Sequence, residues 1–240
     1  MTPLFYRRCL WLLLFSSISV FARGADLTAH VELVDSAKSK KLRNAGNIVL
    51  WLTPVGTTVS FPPVSNPAEQ PRLTQKNKSF QPHVLVVPVG SVVQFPNRDP
   101  FFHNVFSLFE GKRFDLGLYE AGSTRDVRFD KPGISYIFCN IHAQMSAVVI
   151  ALETPYFGIS DRLGQVEIPR VPAGRYVLHA WYETALPDEL NALTREVSVS
   201  ENSSTLGLLR LSAASLPIAH KNKYGRDYDN PTPDNSAYQH

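Results

Sequence analysis

The stretch Tyr136-Ile137-Phe138-Cys139-Asn140-Ile141-His142-Ala143-Gln144-Met145 sets a thiol, an imidazole and a thioether at Cys-x-x-His-x-x-Met spacing. Its approach alternates as a strand does, with Ser135, Ile137 and Cys139 on one face and Tyr136 and Phe138 on the other. A strand therefore delivers Cys139 to a loop, and the chain returns along the apolar run Ala147 to Leu152. Upstream, the apolar run Val84 to Phe95 leads into Asn97-Arg98-Asp99-Pro100-Phe101-Phe102-His103-Asn104-Val105, the best source of a second imidazole. The candidate metal ligands are His103, Cys139, His142 and Met145.

Cysteine and methionine are also ordinary interior residues, so composition has to weigh against coincidence. The chain holds two Cys and two Met, of which Cys9 and Met1 fall in an N-terminal leader. The remaining pair, Cys139 and Met145, share one loop. A thiolate and two imidazoles with a weak axial thioether form the ligand group that suits blue copper. Gln144 is the alternative axial donor. His83, His30 and His179 have no ligand partner nearby in sequence, so no second metal site is expected.

One upstream His, a strand, a Gly turn and then the Cys-His-Met loop resemble the cupredoxin family across residues 72 to 152. The two-residue gaps are similar to the short ligand loop of amicyanin rather than to the longer loops of plastocyanin or azurin. The resemblance implies a Greek-key β-sandwich with one type 1 copper. It also implies that Asn104, in the pair His103-Asn104, braces the Cys loop with its side chain. Asn140 departs from the family, which often has a small hydroxyl residue after the cysteine.

Residues 1 to 22 read as a secretory signal, with Arg7 and Arg8 preceding an apolar run too short to span a bilayer. General secretion fits better than the twin-arginine route, and a periplasmic location follows. The formal net charge of +3 includes those two arginines; taking two from 24 leaves 22 Lys+Arg against 21 Asp+Glu. No basic patch suggests nucleic acid, and no other apolar run suggests a membrane span. An exported chain with one cysteine forms no internal disulfide, and metal ligation explains how the thiol is tolerated.

The whole pattern is all-β. Leu27 to Val34 alternates, Ile48 to Leu52 is a continuous apolar run, and a Lys-rich turn, Ser36 to Asn44, joins them. Residues 57 to 71 carry Pro62, Pro63, Pro67 and Pro71 and read as a linker. Two strands around Pro88-Val89-Gly90, a loop through Tyr119 and a strand Thr124 to Phe129 fill out the copper-binding part. From Pro155, Phe157 to Ile168 reads as strand, Asp161-Arg162-Leu163-Gly164 turn and strand, followed by Val171-Pro172-Ala173-Gly174-Arg175-Tyr176 and Val177 to Tyr182. That pattern resembles the carboxypeptidase regulatory-like, transthyretin-like sandwich, which normally opens with two more strands. Residues 27 to 56 supply them, implying a discontinuous sandwich of 27–56 with 155–212 into which the cupredoxin is inserted; the alternative is two consecutive domains. Trp181 and Tyr182 are exposed-aromatic candidates for carbohydrate, although aromatics on strands are more often core. Residues 213 to 240 read as a flexible polar tail in which Tyr224, Tyr228 and Tyr238 are available to dock.

No Ser-His-Asp order, phosphate-cradling Gly loop or paired carboxylates point to catalysis, so the chain is not expected to be an enzyme. The expected function is single-electron transfer, with a redox partner meeting the His142 face. Copper delivery or buffering, or a carbohydrate- or partner-binding scaffold with structural copper, are the alternatives.

Overall fold

The computed structural model describes residues 24–35, 37–56, 70–108, 110–213 and 220–228. The expected signal segment, most of the Pro-rich linker, and residues 214–219 and 229–240 of the tail lie outside them. In chain order the elements are β1 (Ala25–Asp35), β2 (Lys40–Lys41), β3 (Val49–Pro54), β4 (Thr74–Gln75), β5 (Phe80–Gln81), β6 (Val84–Pro88), β7 (Val92–Pro96), β8 (His103–Ser107) and β9 (Phe114–Tyr119). They continue with β10 (Thr124–Arg128), β11 (Gly133–Phe138), β12 (Ser146–Leu152), β13 (Phe157–Ile159), β14 (Gln165–Val171), β15 (Gly174–Trp181), the helix α1 (Pro187–Leu193), β16 (Arg195–Val199) and β17 (Thr205–Ala213).

The first strand alternates strictly, so Leu27, Ala29, Val31 and Leu33 point into one core. It lies at the centre of the sheet β14-β1-β17, antiparallel to β14 and parallel to β17, with β2 added alongside. The sheet β13-β3-β15-β16 shares that core through Leu50, Leu52, Tyr176 and Leu178. The Asp161–Gly164 turn is built as its sequence suggests: Asp161 Oδ1 accepts from the amides of Leu163 (2.8 Å) and Gln165 (2.9 Å). Gly164 has φ +84° and packs so closely that a Cβ there would collide with the Val31 carbonyl oxygen. Glycine is the residue that meets both demands.

A second core joins the five-stranded sheet β6-β12-β11-β8-β9 to the pair β7-β10. Strand β12 explains its own continuous apolar run, because both of its faces are covered. Ala147, Val149 and Ala151 face the second core, while Val148, Ile150 and Leu152 meet Val49, Val84 and Trp181 in an apolar seam. That seam is where β3 and β15 pack against β6 and β12.

Several local expectations are revised. The loop expected through Tyr119 contains β9, held by pairing with β8, and the Lys-rich turn contains the two residues of β2. Helix α1 was not foreseen, since none of its residues is fully buried and it leaves no clear apolar stripe. Trp181 is only 3% exposed and belongs to the seam, so it is no sugar platform. Among the described residues no helix is long and apolar enough to cross a membrane.

At the rim of the seam His83 uses both ring nitrogens. Nε2 lies 2.6 Å from Glu183 Oε2, and Nδ1 lies 3.2 Å from the Ser146 carbonyl oxygen. Two acceptors favour the doubly protonated ring, and the Glu183 hydrogen bond accordingly raises the His83 pKa against the opposing effect of burial. A raised folded pKa contributes stability that is complete below the unfolded value near 6.5 and is lost as pH rises through the folded value. His83→Gln is therefore expected to narrow the gap between melting temperatures at about pH 5.5 and about pH 9. An unchanged gap in matched calorimetric scans would remove this pair as its source.

Candidate metal centre

Cys139 follows the last residue of β11 and Ser146 opens β12, so the ligand loop is a tight connection between paired strands. Its ends are tied by the main chain: the Cys139 amide donates to the Met145 carbonyl at 3.2 Å, and the Met145 amide to the His142 carbonyl at 3.0 Å. The Cys139 thiol is fully buried. Burial pushes it up in pKa, and the amides of Asn104, Ile141 and His142, aimed at the sulfur, work in the opposite direction. Those amides are the donors that a thiolate would accept.

His103 reaches the same point from the start of β8 and is also fully buried. The turn before it is organised by Asn97, whose Nδ2 donates to the Phe101 carbonyl (2.8 Å) and whose Oδ1 accepts from the Asp99 amide (3.0 Å). Asp99, 4% exposed, accepts from the amides of Asn77 and Lys78 and takes His103 Nε2 at 2.8 Å. A carboxylate can only accept, so Nε2 carries the proton and Nδ1 is left with a free lone pair. That lone-pair nitrogen lies 3.7 Å from Cys139 Sγ.

His142 completes the group. Its Nδ1 also lies 3.7 Å from Cys139 Sγ, and the ligand atoms of His103, Cys139 and His142 all fall within 4.8 Å of one another. The two rings meet edge to face at 4.9 Å, with Phe101 packed against both. Desolvation, then the neighbouring His103, lower the His142 pKa to about 4, and desolvation also lowers that of His103. Both imidazoles are thus neutral and ready to ligate at neutral pH. Metal–sulfur and metal–nitrogen bonds of about 2.3 and 2.0 Å opened to about 120° span about 3.7 Å. The observed separation therefore matches one ion held between sulfur and each nitrogen.

Met145 is fully buried in the core that contains Cys139, whereas Gln144 is exposed, so the thioether and not the amide is on the interior side. Asn104 is buried; its Nδ2 donates to Asp115 Oδ1 at 2.7 Å, and its backbone amide is the group bonded to Cys139. His30, His83 and His179 lie outside the cluster, His83 paired with Glu183 and His179 stacked on Trp51. Asp99 and Asn97 were legible as a turn in the sequence, yet their role against His103 was not assigned. The carboxylate four residues before the histidine was the available signal.

Part of the expected tail is ordered against this site. Tyr228 Oη donates to the Cys139 carbonyl at 2.7 Å, and the Lys223 amide donates to Asn140 Oδ1 at 2.9 Å. Of the tail tyrosines available to dock, Tyr228 is the one whose side chain bonds this loop.

No family model matches the chain and no curated protein matches it. Among solved structures it is similar to a purple cupredoxin from Nitrosopumilus maritimus, at 21% identity over 34% of this chain and 99% of that one, with a TM-score of 0.31. A Cu-containing nitrite reductase from Thermus scotoductus is 23% identical over 52% of this chain and 28% of its own, with a TM-score of 0.34. A Cu(I) amicyanin variant is 15% identical over 43% of this chain and 98% of its own, again with a TM-score of 0.34.

Removing the hydrogen-bond partner of a ligating imidazole typically weakens metal affinity about 10–100-fold. Asp99→Ala is expected to do so here, read by competition against a chelator with Co(II) as the probe. Undiminished affinity would show that the Nε2 contact does not set the ligand geometry.

Proposed function

We propose that this chain is a cupredoxin-type protein of the periplasm that carries single electrons on one type 1 copper, which His103, Cys139 and His142 would hold with Met145 as a weak fourth donor. The observation that supports it most directly is the pair of imidazole Nδ1 atoms, each 3.7 Å from one buried thiol. One thiolate with two imidazoles is the donor set copper favours, and buried methionine is its usual weak fourth partner. Copper held there supplies a one-electron couple between Cu(I) and Cu(II).

The chain's own residues supply the rest. His103 is locked by Asp99 and Cys139 by three amides, so neither can swing when the charge at the site changes. A site that does not rearrange passes electrons with little reorganisation. Water is kept out by Phe101 and the buried core beneath the loop. Of the four, His142 alone is half-exposed, with exposed Ala143 next to it and Phe101 packed on its ring. That face fits an apolar contact with a redox partner. No open coordination position is evident in this set, which favours a carrier over an enzyme.

The Cu(II)-loaded protein is expected to show an intense thiolate-to-copper band in the visible, lost in Cys139→Ser and kept in Met145→Leu with a raised potential. Ala143→Glu should slow electron exchange with the colour intact. A Cys139→Ser protein that remains equally blue refutes the ligand assignment. Ready loss of Cu(I) to a moderate chelator with no voltammetric response supports delivery instead.

We also propose that residues 27–56 and 155–212 form one sandwich interrupted by the copper-binding part. Support comes from β1 lying between β14 and β17, and β3 between β13 and β15. A fragment of residues 155 to 240 would then lack the centre of both sheets and leave apolar edges open. It should aggregate or stay unfolded, whereas cooperative monomeric folding, seen by circular dichroism and sedimentation, argues for consecutive domains.

A further inference from the structure

The segment 220–228 touches the ligand loop at more points than a passing chain would need. Tyr228 Oη donates to the carbonyl of Cys139, the residue that offers the thiol. The Lys223 amide donates to the side chain of Asn140, the next residue. Lys223 Nζ reaches Asp115 Oδ2 at 2.8 Å, and the other oxygen of that carboxylate accepts from Asn104, the neighbour of His103. His220 stacks on Phe138, the residue before Cys139, with ring centroids 4.0 Å apart. Tyr228 closes the arrangement edge-on to His220 at 5.2 Å. The segment itself is held in shape by a turn in which Asn222 Oδ1 accepts from the amides of Tyr224 and Arg226.

Residues 138, 139 and 140 are thus each held by a separate contact from one short stretch of chain, distant in sequence. These contacts lie on the outer side of the loop, whereas the thiol points inward to the core. A loop tied only by its own two main-chain bonds could open locally; one pinned from outside loses that freedom. Asn140, unusual against the resembled family, has a use here: a small hydroxyl side chain would not extend as far toward the Lys223 amide.

We propose that residues 220–228 form a strap that fixes the Cys139 loop from outside the sandwich, with Tyr228 as a positioning residue for the thiol and Asn140 as the strap's second anchor. The strap does not depend on which ion the site takes; its consequence for copper retention rests on the function proposed above.

The test uses the full chain with Tyr228→Phe, which deletes one O–H and keeps the ring on His220, and Asn140→Ala, which deletes the acceptor for Lys223. Leu163→Ala, at a 72% exposed residue of the Asp161–Gly164 turn and outside the strap, serves as the control. In copper-free protein, hydrogen exchange at the amides of Cys139 and Met145 is expected to quicken about two- to tenfold in each variant, the effect of one neutral hydrogen bond. The control should leave it unchanged. In Cu(II)-loaded protein the charge-transfer band should shift or broaden, and Cu(I) loss to a chelator should quicken by a similar factor. Should Tyr228→Phe fail to fold, Asn140→Ala carries the comparison. Wild-type exchange, spectrum and release in both variants overturn the strap. A wild-type protein that takes up no copper refutes the electron-carrier reading, while the exchange data still decide the strap.

Discussion

His103 is sealed from water, and the carboxylate of Asp99 takes its Nε2 proton, so the ring has one lone pair left and no freedom to offer it elsewhere. The geometry of the site follows from that single bond. Asp99 is in turn fixed by the amides of Asn77 and Lys78 and by Asn97, which means the β4–β5 hairpin, remote from the cysteine in sequence, sets where the first imidazole points. Buried carboxylates are costly unless every lone pair is used, and this one is nearly saturated with donors. Its placement belongs to the fold and not to the ligand loop.

The second organising fact is β12. Because it is apolar on both faces, it cannot end its own sandwich against solvent; it must be covered twice. Val148, Ile150 and Leu152 find their cover in Val49 and Trp181, and Tyr136 on β11 also reaches Trp181 through a hydrogen bond. The strand that closes the ligand loop is therefore also the wall shared with the other sandwich, so the two cores meet through side chains only one strand deep.

What the sequence made legible was local and periodic. The spacing of Cys139, His142 and Met145, the alternation in β1 and the Asp161–Gly164 turn could be read because each is encoded within a few residues. Strand β9 escaped because Gly117 and the exposed Leu118 blur its alternation, and its pairing with β8 holds it instead. Trp181 could be read as a surface aromatic or as core, because nothing in one strand says whether another sheet will pack on it. Asn104 donates to Asp115, eleven residues on, a partner that nothing beside it in the sequence indicated. Tyr228 was visible only as one of several tail tyrosines; that it ends on the Cys139 carbonyl is a matter of long-range docking.

Strands β1 and β17 run side by side in the same direction, from Thr28 opposite Thr205 to Asp35 opposite Ala213. A pull applied between Ala25 and Ala213 would act along both strands at once and load their ladder in shear, with the hydrogen bonds sharing the force rather than failing one after another as in a zipper. Strand β1 is further clasped by β14 on its other edge. Mechanically, then, the outer sandwich behaves as a buckle: tension between Ala25 and Ala213 is borne by that ladder before it can reach the ligand loop lying between them in the chain.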